Sequence, residues 1–369
     1  MSLLKNIAFS LLGRIRLGSL QQFLPELIII PFQHLISDSY LNYISPLYSF
    51  KSLAAFENDL DFLLANFTPV SLTGLIDTIK QGRPLAPGSF LLTFDDGFSQ
   101  IYTAVVPILL RKGLGAAFFV NPAFVDNKVL FYDLKKGLIL DKLLTVALTR
   151  AAAGKIAGLF EAENAVPNRP DRGGRQILTG RQNFLVHGAT SVIQGKLIRQ
   201  VRLINYHSRI LCDHIGEVLD IDFDQFLLSR RPFMTSNELQ ILADKGFHLG
   251  AHSIDHPLYS LLTLEEQLVQ TRESVSWVAD KFNLSYRAFA FPHTDYGVSS
   301  GFFEALETGP VTGRPDIILG NRTGRLEKNP KVFHRFAGEN PALPLSAIIN
   351  TIQFYQLAGK VVGLQYLQR

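Results

Sequence analysis

FLLTFDDGFSQ, residues Phe90 to Gln100, runs an apolar segment into two adjacent carboxylates, Asp95 and Asp96, and then a glycine. Read as a strand ending in a tight turn, it sets two negative charges at the carboxyl end of a strand, where parallel α/β architectures collect their ligands. A turn or a helix N-cap needs one Asp at most. Two ionised neighbours repel, and a cation placed there would turn the repulsion into binding.

Outward from this stretch, strands and helices alternate. ELIIIPFQHLIS (Glu26 to Ser37) reads as a buried strand because its isoleucines are β-branched and the run is brief. Leu53, Phe56, Leu60, Leu63, Leu64 and Phe67 recur at helical spacing, and GRPLAPGS then breaks the chain before FLLTF. Beyond the DDG turn, Ile101 to Arg111 reads as a helix stopped by Gly113, and GAAFFVNP as the next strand. Alternation of this kind predicts parallel βα units. From about Ala123 to Arg231 the rhythm is lost. The centre of that stretch, Ala162 to Gln182, concentrates glycine, proline and arginine, and Leu197 to Leu219 carries helical periodicity, so a largely helical insertion is expected.

The alternation then resumes. Thr235 to Glu238 and Thr263 to Glu266 are capping-box patterns, the first helix stopped by Gly246 and the second running to about Phe282. FHLGAHS, RAFAFP and DIILGN read as strands, with GFFEALE and Leu345 to Leu357 as helices. The expected organisation is an N-terminal amphipathic segment (1–24), a first part of the barrel (25–122), the insertion or lid (123–231) and a second part of the barrel (232–369).

The 369 residues suffice for one large domain with an insertion, and 47% hydrophobic with 18% charged residues is a globular composition. A net charge of +4 with scattered basic residues argues against a nucleic-acid partner. One cysteine, Cys212, forms no intrachain disulfide, and a cytoplasmic location is expected. Residues 1–20 read as an amphipathic helix that packs on the domain or rests on a membrane surface, export remaining open.

His252 and His256, four apart in GAHSIDHPLYS, also follow a strand directly. The spacing lets both imidazoles face one point, on a turn of helix or in a tight loop, and the plain alternative is two ordinary histidines near a loop. One carboxylate and two imidazoles make a frequent catalytic zinc set with one position left open. The second Asp is then spare, and hydrolysis needs a proton acceptor beside its Lewis acid: one Asp binds and its neighbour abstracts. In RAFAFPHTDYG, Pro292 stops a strand and the backbone N–H of His293 could face an oxyanion. In KVFHRFAGE, His334 could protonate a leaving amine.

These segments in this order resemble the polysaccharide deacetylase family, the NodB-homology carbohydrate esterases. TFDDG matches the first motif, HSIDH the H-[ST]-x-x-H second motif, and FAFPHTDYG looks like the third. IIIPFQHLIS, FLLANFTPVSLTGLID, PILLRKGLGAAFFV and ILGNRTGRL look like the family framework, so the resemblance covers most of 25–125 and 232–340. It implies a distorted (β/α)7 barrel, Asp95 as base, Asp96, His252 and His256 as ligands of one divalent metal (zinc being the expected ion), and hydrolysis of an N-acyl group, usually acetyl, from an amino sugar of a polysaccharide or lipid-linked glycan. Where many members carry an arginine that orients the base, this chain has Ala290 and Phe291, with Arg287 a distant substitute. The late leucine-x-histidine motif is not clear, and the insertion implies a lid or specificity element. The rival readings are a metal-dependent phosphoester hydrolase, which would need more carboxylate ligands, and a non-catalytic carbohydrate-binding barrel.

Overall fold

The computed structural model describes residues 28–164, 192–323 and 329–362. The N-terminal segment expected over 1–24, and the glycine-, proline- and arginine-rich stretch from residue 165 onward, lie outside the described residues.

In chain order, the first half of the barrel consists of β1 (Pro31–Gln33), α1 (Leu53–Asn66), β2 (Thr68–Pro69), α2 (Leu72–Lys80), β3 (Ser89–Phe90), β4 (Thr93–Phe94), α3 (Val106–Lys112) and β5 (Ala117–Val120). Among the described residues five α-helices follow: α4 (Tyr132–Thr145), α5 (Arg150–Asn164), α6 (Val192–Leu203), α7 (Ile210–Val218) and α8 (Phe223–Arg230). The second half comprises α9 (Ser236–Asp244), β6 (His248–Ala251), α10 (Leu264–Lys281), β7 (Ala288–Ala290), α11 (Ser300–Thr308), β8 (Ile317–Gly320), β9 (Val332–His334), β10 (Phe336–Ala337) and α12 (Leu345–Val362).

The chain divides into two compact units. One is the barrel, 1–38, 50–126 and 232–369; the other is 39–49 with 127–231. Ile139, Leu143, Ile156, Leu197, Val201 and Ile215 from four helices make the second unit's own buried core. Its first segment closes on α4 through Gly137, where a Cβ would stand 1.9 Å from the Tyr43 carbonyl oxygen, a space that only glycine fits.

In the barrel unit, eight strands pair in parallel in the order β10-β1-β4-β5-β6-β7-β8-β9. β9 and β10 are halves of one chain segment, interrupted at Arg335. Because β9 pairs with β8 and β10 with β1, that segment closes the ring, which is therefore built of seven chain segments as the (β/α)7 expectation requires. The expected strand FLLTF is split. β3 pairs with β2 in a two-stranded side sheet, while β4 pairs with β1 and β5, so the chain changes partners at Leu91 and Leu92. An apolar run carries no mark of such an exchange.

Residues of one parity, among them Ile30, Leu91, Ala117, Phe119, Ala290 and Leu319, form one buried cluster with Leu72, Leu75 and Ile76 of α2. The opposite parity is apolar as well, with Phe94 stacked on Phe118 and edge-on to Phe56 of α1. Strands covered on both faces read as continuous apolar runs. Both capping boxes form, at Thr235 with Glu238 and at Thr263 with Glu266. The helix expected over Ile101 to Arg111 begins as a π-helical turn (Ile101–Val105) before α3, and ends at Gly113 in the left-handed region, φ 64°. No described helix is long and apolar enough to cross a membrane.

Candidate active site

The parallel register sets a row of side chains at the carboxyl ends of the strands. Gln33 is level with Phe94 and Phe32 with Ala337, so His34, Asp95 and Glu339 follow in one layer. After β4 the chain turns sharply: Asp96 and Gly97 both take left-handed backbone, φ 66° and 69°. Gly97 is needed twice over, since a Cβ there would also press on Val120 at 3.1 Å. The segment re-entering the barrel holds the turn from outside, through Met234 N–H on the Gly97 carbonyl (2.8 Å) and Ser99 N–H on that of Pro232 (2.8 Å).

The two histidines meet in a tight loop rather than on a helix. Ser253 and His256 have φ 65° and 63°, and the His256 N–H donates to Ser253 Oγ at 3.0 Å. The buried Asn121 side chain, at the end of β5, donates to the backbone carbonyls of His252 and Ser253. Together with His293 (φ 52°), four non-glycine residues of this rim sit in the left-handed region. Each costs about 1–3 kcal/mol, and such outliers collect where surrounding contacts impose them for function.

Asp96 Oδ1 lies 3.2 Å from His256 Nε2 and 3.6 Å from His252 Nε2, and the three side chains offer atoms all within 4.8 Å of one another. Ligand atoms about 2.0–2.2 Å from a tetrahedral ion stand about 3.3–3.6 Å apart, so the set fits one small divalent cation. Neither Asp96 Oδ1 nor His252 Nε2 makes a hydrogen bond among the described residues, although both are buried. That cost is relieved if they ligate a cation. His252 Nδ1 faces the Ala290 carbonyl at 2.9 Å; a carbonyl only accepts, so Nδ1 carries the proton and Nε2 presents a lone pair inward. Burial, opposed by Asp95 and reinforced by His256, pulls the His252 pKa down to about 4. The ring is thus neutral at pH 7, the form that binds a metal, and its approach to Asp95 (3.8 Å) is not an ion pair. For Asp96, burial favours the neutral acid, but His256 and then His34 outweigh it and hold the carboxyl far below the carboxylate range.

Asp95 is bound differently. Arg335, fully buried, donates through Nη1 to Oδ1 (2.7 Å) and through Nη2 to Oδ2 (2.8 Å), a two-pronged ion pair inside the barrel. The guanidinium also reaches Thr93 Oγ1 and lies over the rings of Phe32 and Phe119. Burial raises the Asp95 pKa, while Arg335, then His252 and His34, lower it by more, leaving it below its ordinary value. This supplies the arginine missing from the third motif. Arg287 does not: it precedes β7, at the end of the strand away from the site, where its N–H binds Asp316. Arg335 stands next to the His334 that the sequence drew out, and the one signal for it was a charged residue amid the apolar strand VFHRFA.

A depressed carboxyl pKa contributes stability that is present above the unfolded value of about 3.9 and is lost as pH falls through the folded one. With Arg335→Met, burial dominates and the Asp95 pKa rises. The acid limb of kcat/KM is expected to move to higher pH, and the thermal midpoint is expected to fall most near neutrality, the difference from wild type closing only as pH falls through the depressed wild-type pKa of Asp95. An unmoved acid limb in a pH–rate profile would show that Arg335 does not set this carboxylate.

The structure draws His34 into the site, which the motifs did not. Its ring Nδ1 and its backbone N–H each stand 2.9 Å from one Glu339 oxygen. Burial works to lower its pKa, but Glu339, with Asp96 and Asp95 adding their charges, raises it to about 10. A titratable residue at a strand's carboxyl end was the available clue. His293 is exposed and meets the His256 ring edge-on, centroids 4.4 Å apart, while Pro292 is buried. His334 stands beside Asp295 (3.9 Å) and accepts the Arg322 backbone N–H at Nδ1 (3.2 Å).

A ring of parallel strands with acids and imidazoles converging at its carboxyl rim defines a (β/α) barrel with a candidate metal centre. Residues 82–149 match the family model described as polysaccharide deacetylase. Over that stretch, which holds Asp95 and Asp96, the chain is similar to the polysaccharide deacetylase family. No curated protein matches it. Among solved structures it is similar to the Streptococcus pyogenes deacetylase PplD in complex with acetate (10% identity, TM-score 0.51, covering 88% of this chain and 97% of that one), which shows the fold. It is also similar to IcaB from Ammonifex degensii (14% identity, TM-score 0.49, covering 88% and 96%).

Proposed function

We propose that this chain removes the N-acetyl group of an amino sugar in a polysaccharide or lipid-linked glycan, with zinc held by Asp96, His252 and His256 and with Asp95 as general base. The observation that carries the reading is the division of labour between neighbours: Asp96 joins the two imidazoles, and Asp95 is gripped by Arg335. The cation supplies Lewis acidity to the amide carbonyl and to water. Asp95 takes the proton of the attacking water, and the Arg335 clamp keeps it ionised and aimed. The backbone N–H of His293, beside Pro292, faces the developing oxyanion. The departing amine needs a proton, for which His334 is one candidate. His34 is the other, favoured by its Glu339 partner, which keeps the ring protonated at neutral pH, and by its place in the layer of Asp95.

The test is acetate release from N-acetylglucosamine oligosaccharides and from lipid-linked N-acetylated sugars, by wild-type protein stripped with chelator and then reloaded with zinc. Release is expected only when metal is restored. His34→Ala is expected to lower kcat about 10²-fold, in the range of a lost general acid, with His334→Ala the milder change. Zinc-loaded protein that binds such oligosaccharides and frees no acetate would leave a sugar-binding barrel as the better description.

A further inference from the structure

Asn321 follows β8 directly, and its side chain stands between two groups of fixed hydrogen-bonding character. A guanidinium only donates and a backbone carbonyl only accepts. Oδ1 receives Arg335 Nε at 3.1 Å and Nη2 at 3.0 Å, while Nδ2 donates to the carbonyls of Phe291 (3.0 Å) and His293 (3.1 Å). Neither pair tolerates the reversed amide, so the orientation is determined by its partners. The backbone is tied as well, since the Asn321 N–H donates to Asp295 Oδ1 at 2.9 Å. On one side of the amide lies the arginine that grips Asp95. On the other lie the peptides flanking the Pro292–His293 bond, in a loop where His293 holds left-handed backbone.

We infer that Asn321 is a positioning residue that sets two parts of the reaction together, holding Arg335 square to the Asp95 carboxylate and pinning the 291–293 loop that carries the His293 N–H. The inference rests on the proposed roles of Asp95 and His293. One side chain then aligns the proton acceptor with the oxyanion donor, across a distance that neither motif spans alone. Misplacement of reacting groups by about 1 Å costs on the order of 10²-fold in rate, and a single amide bridge controls that alignment here.

Two variants separate the two halves. Asn321→Ala removes both. Asn321→Asp keeps an acceptor for Arg335 but turns a carboxylate oxygen toward the carbonyls of Phe291 and His293. In zinc-loaded, full-length protein without substrate, solvent exchange of the Arg335 Nε–H is expected to quicken at least about tenfold in Asn321→Ala and to stay slow in Asn321→Asp, while the His293 and Thr294 amides exchange faster in both. In acetate release from N-acetylglucosamine oligosaccharides, kcat is expected to fall about 10²-fold in both variants with KM within about threefold. A residue that only stabilised the fold would lower the melting midpoint and leave kcat of the folded fraction intact. The inference is overturned if Arg335 exchange is unchanged in Asn321→Ala, if loop exchange is unchanged in Asn321→Asp, or if kcat of Asn321→Asp equals wild type. A wild type that frees no acetate would count against the deacetylase reading alone, because the exchange measurements decide the bridge without turnover.

Discussion

Asp95→Asn, loaded with zinc as the proposed function requires, is expected to keep the metal and lose turnover by about 10³-fold, within the range found when a general base is removed. The amide nearly reproduces the carboxylate's shape but offers a single acceptor to the two-pronged guanidinium of Arg335, and it cannot take a proton from water. The cation site should be untouched, because its three atoms come from Asp96, His252 and His256. Metal content by atomic emission and kcat from acetate release are the two readings. Zinc near one per chain with kcat near the wild-type value would remove Asp95 from the chemistry. Loss of zinc together with activity would mean that the neighbouring carboxylates share the cation.

His252→Ala should lose both metal and activity. Its Nε2 faces the carboxylates because Nδ1 is committed to the Ala290 carbonyl. Alanine leaves two ligands for a small cation, and structural or catalytic zinc is rarely held by so few. Affinity is expected to weaken by more than the 10- to 100-fold typical of removing a supporting partner, roughly 10³-fold, as read by competition with a chromophoric chelator. Folding should survive, since the barrel core lies in the apolar layers below the rim. Excess zinc should therefore restore little turnover to a protein with a normal circular dichroism spectrum. Full rescue by modest zinc would instead mean that His252 is a minor ligand.

Much of the site could be read along the chain because its parts are local. Asp95 with Asp96, and His252 with His256, are short motifs directly after strands, and a strand's carboxyl end is a definite place in a parallel barrel. The alternation of helices and strands was equally open to reading, since periodicity and capping pairs such as Thr235 with Glu238 act over a few residues. Harder to see were the interruptions. FLLTF is two strands because it serves two sheets, and VFHRFA is two because its first half pairs with β8 and its second with β1. Hydrophobicity registers burial and is silent on the partner of each backbone group.

What the sequence determined by itself is the chemistry on offer: parallel βα units, a pair of acids, a pair of imidazoles, and a helical segment set between two stretches of barrel. The assignment of partners came only with the tertiary structure. Closing the ring joins the first and last strands, so Arg335 meets Asp95, 240 positions away, and Glu339 meets His34 across 305. No spacing rule reaches that far. Such contacts follow from which strands complete one another's hydrogen bonds, a property of the whole closed sheet rather than of any segment within it.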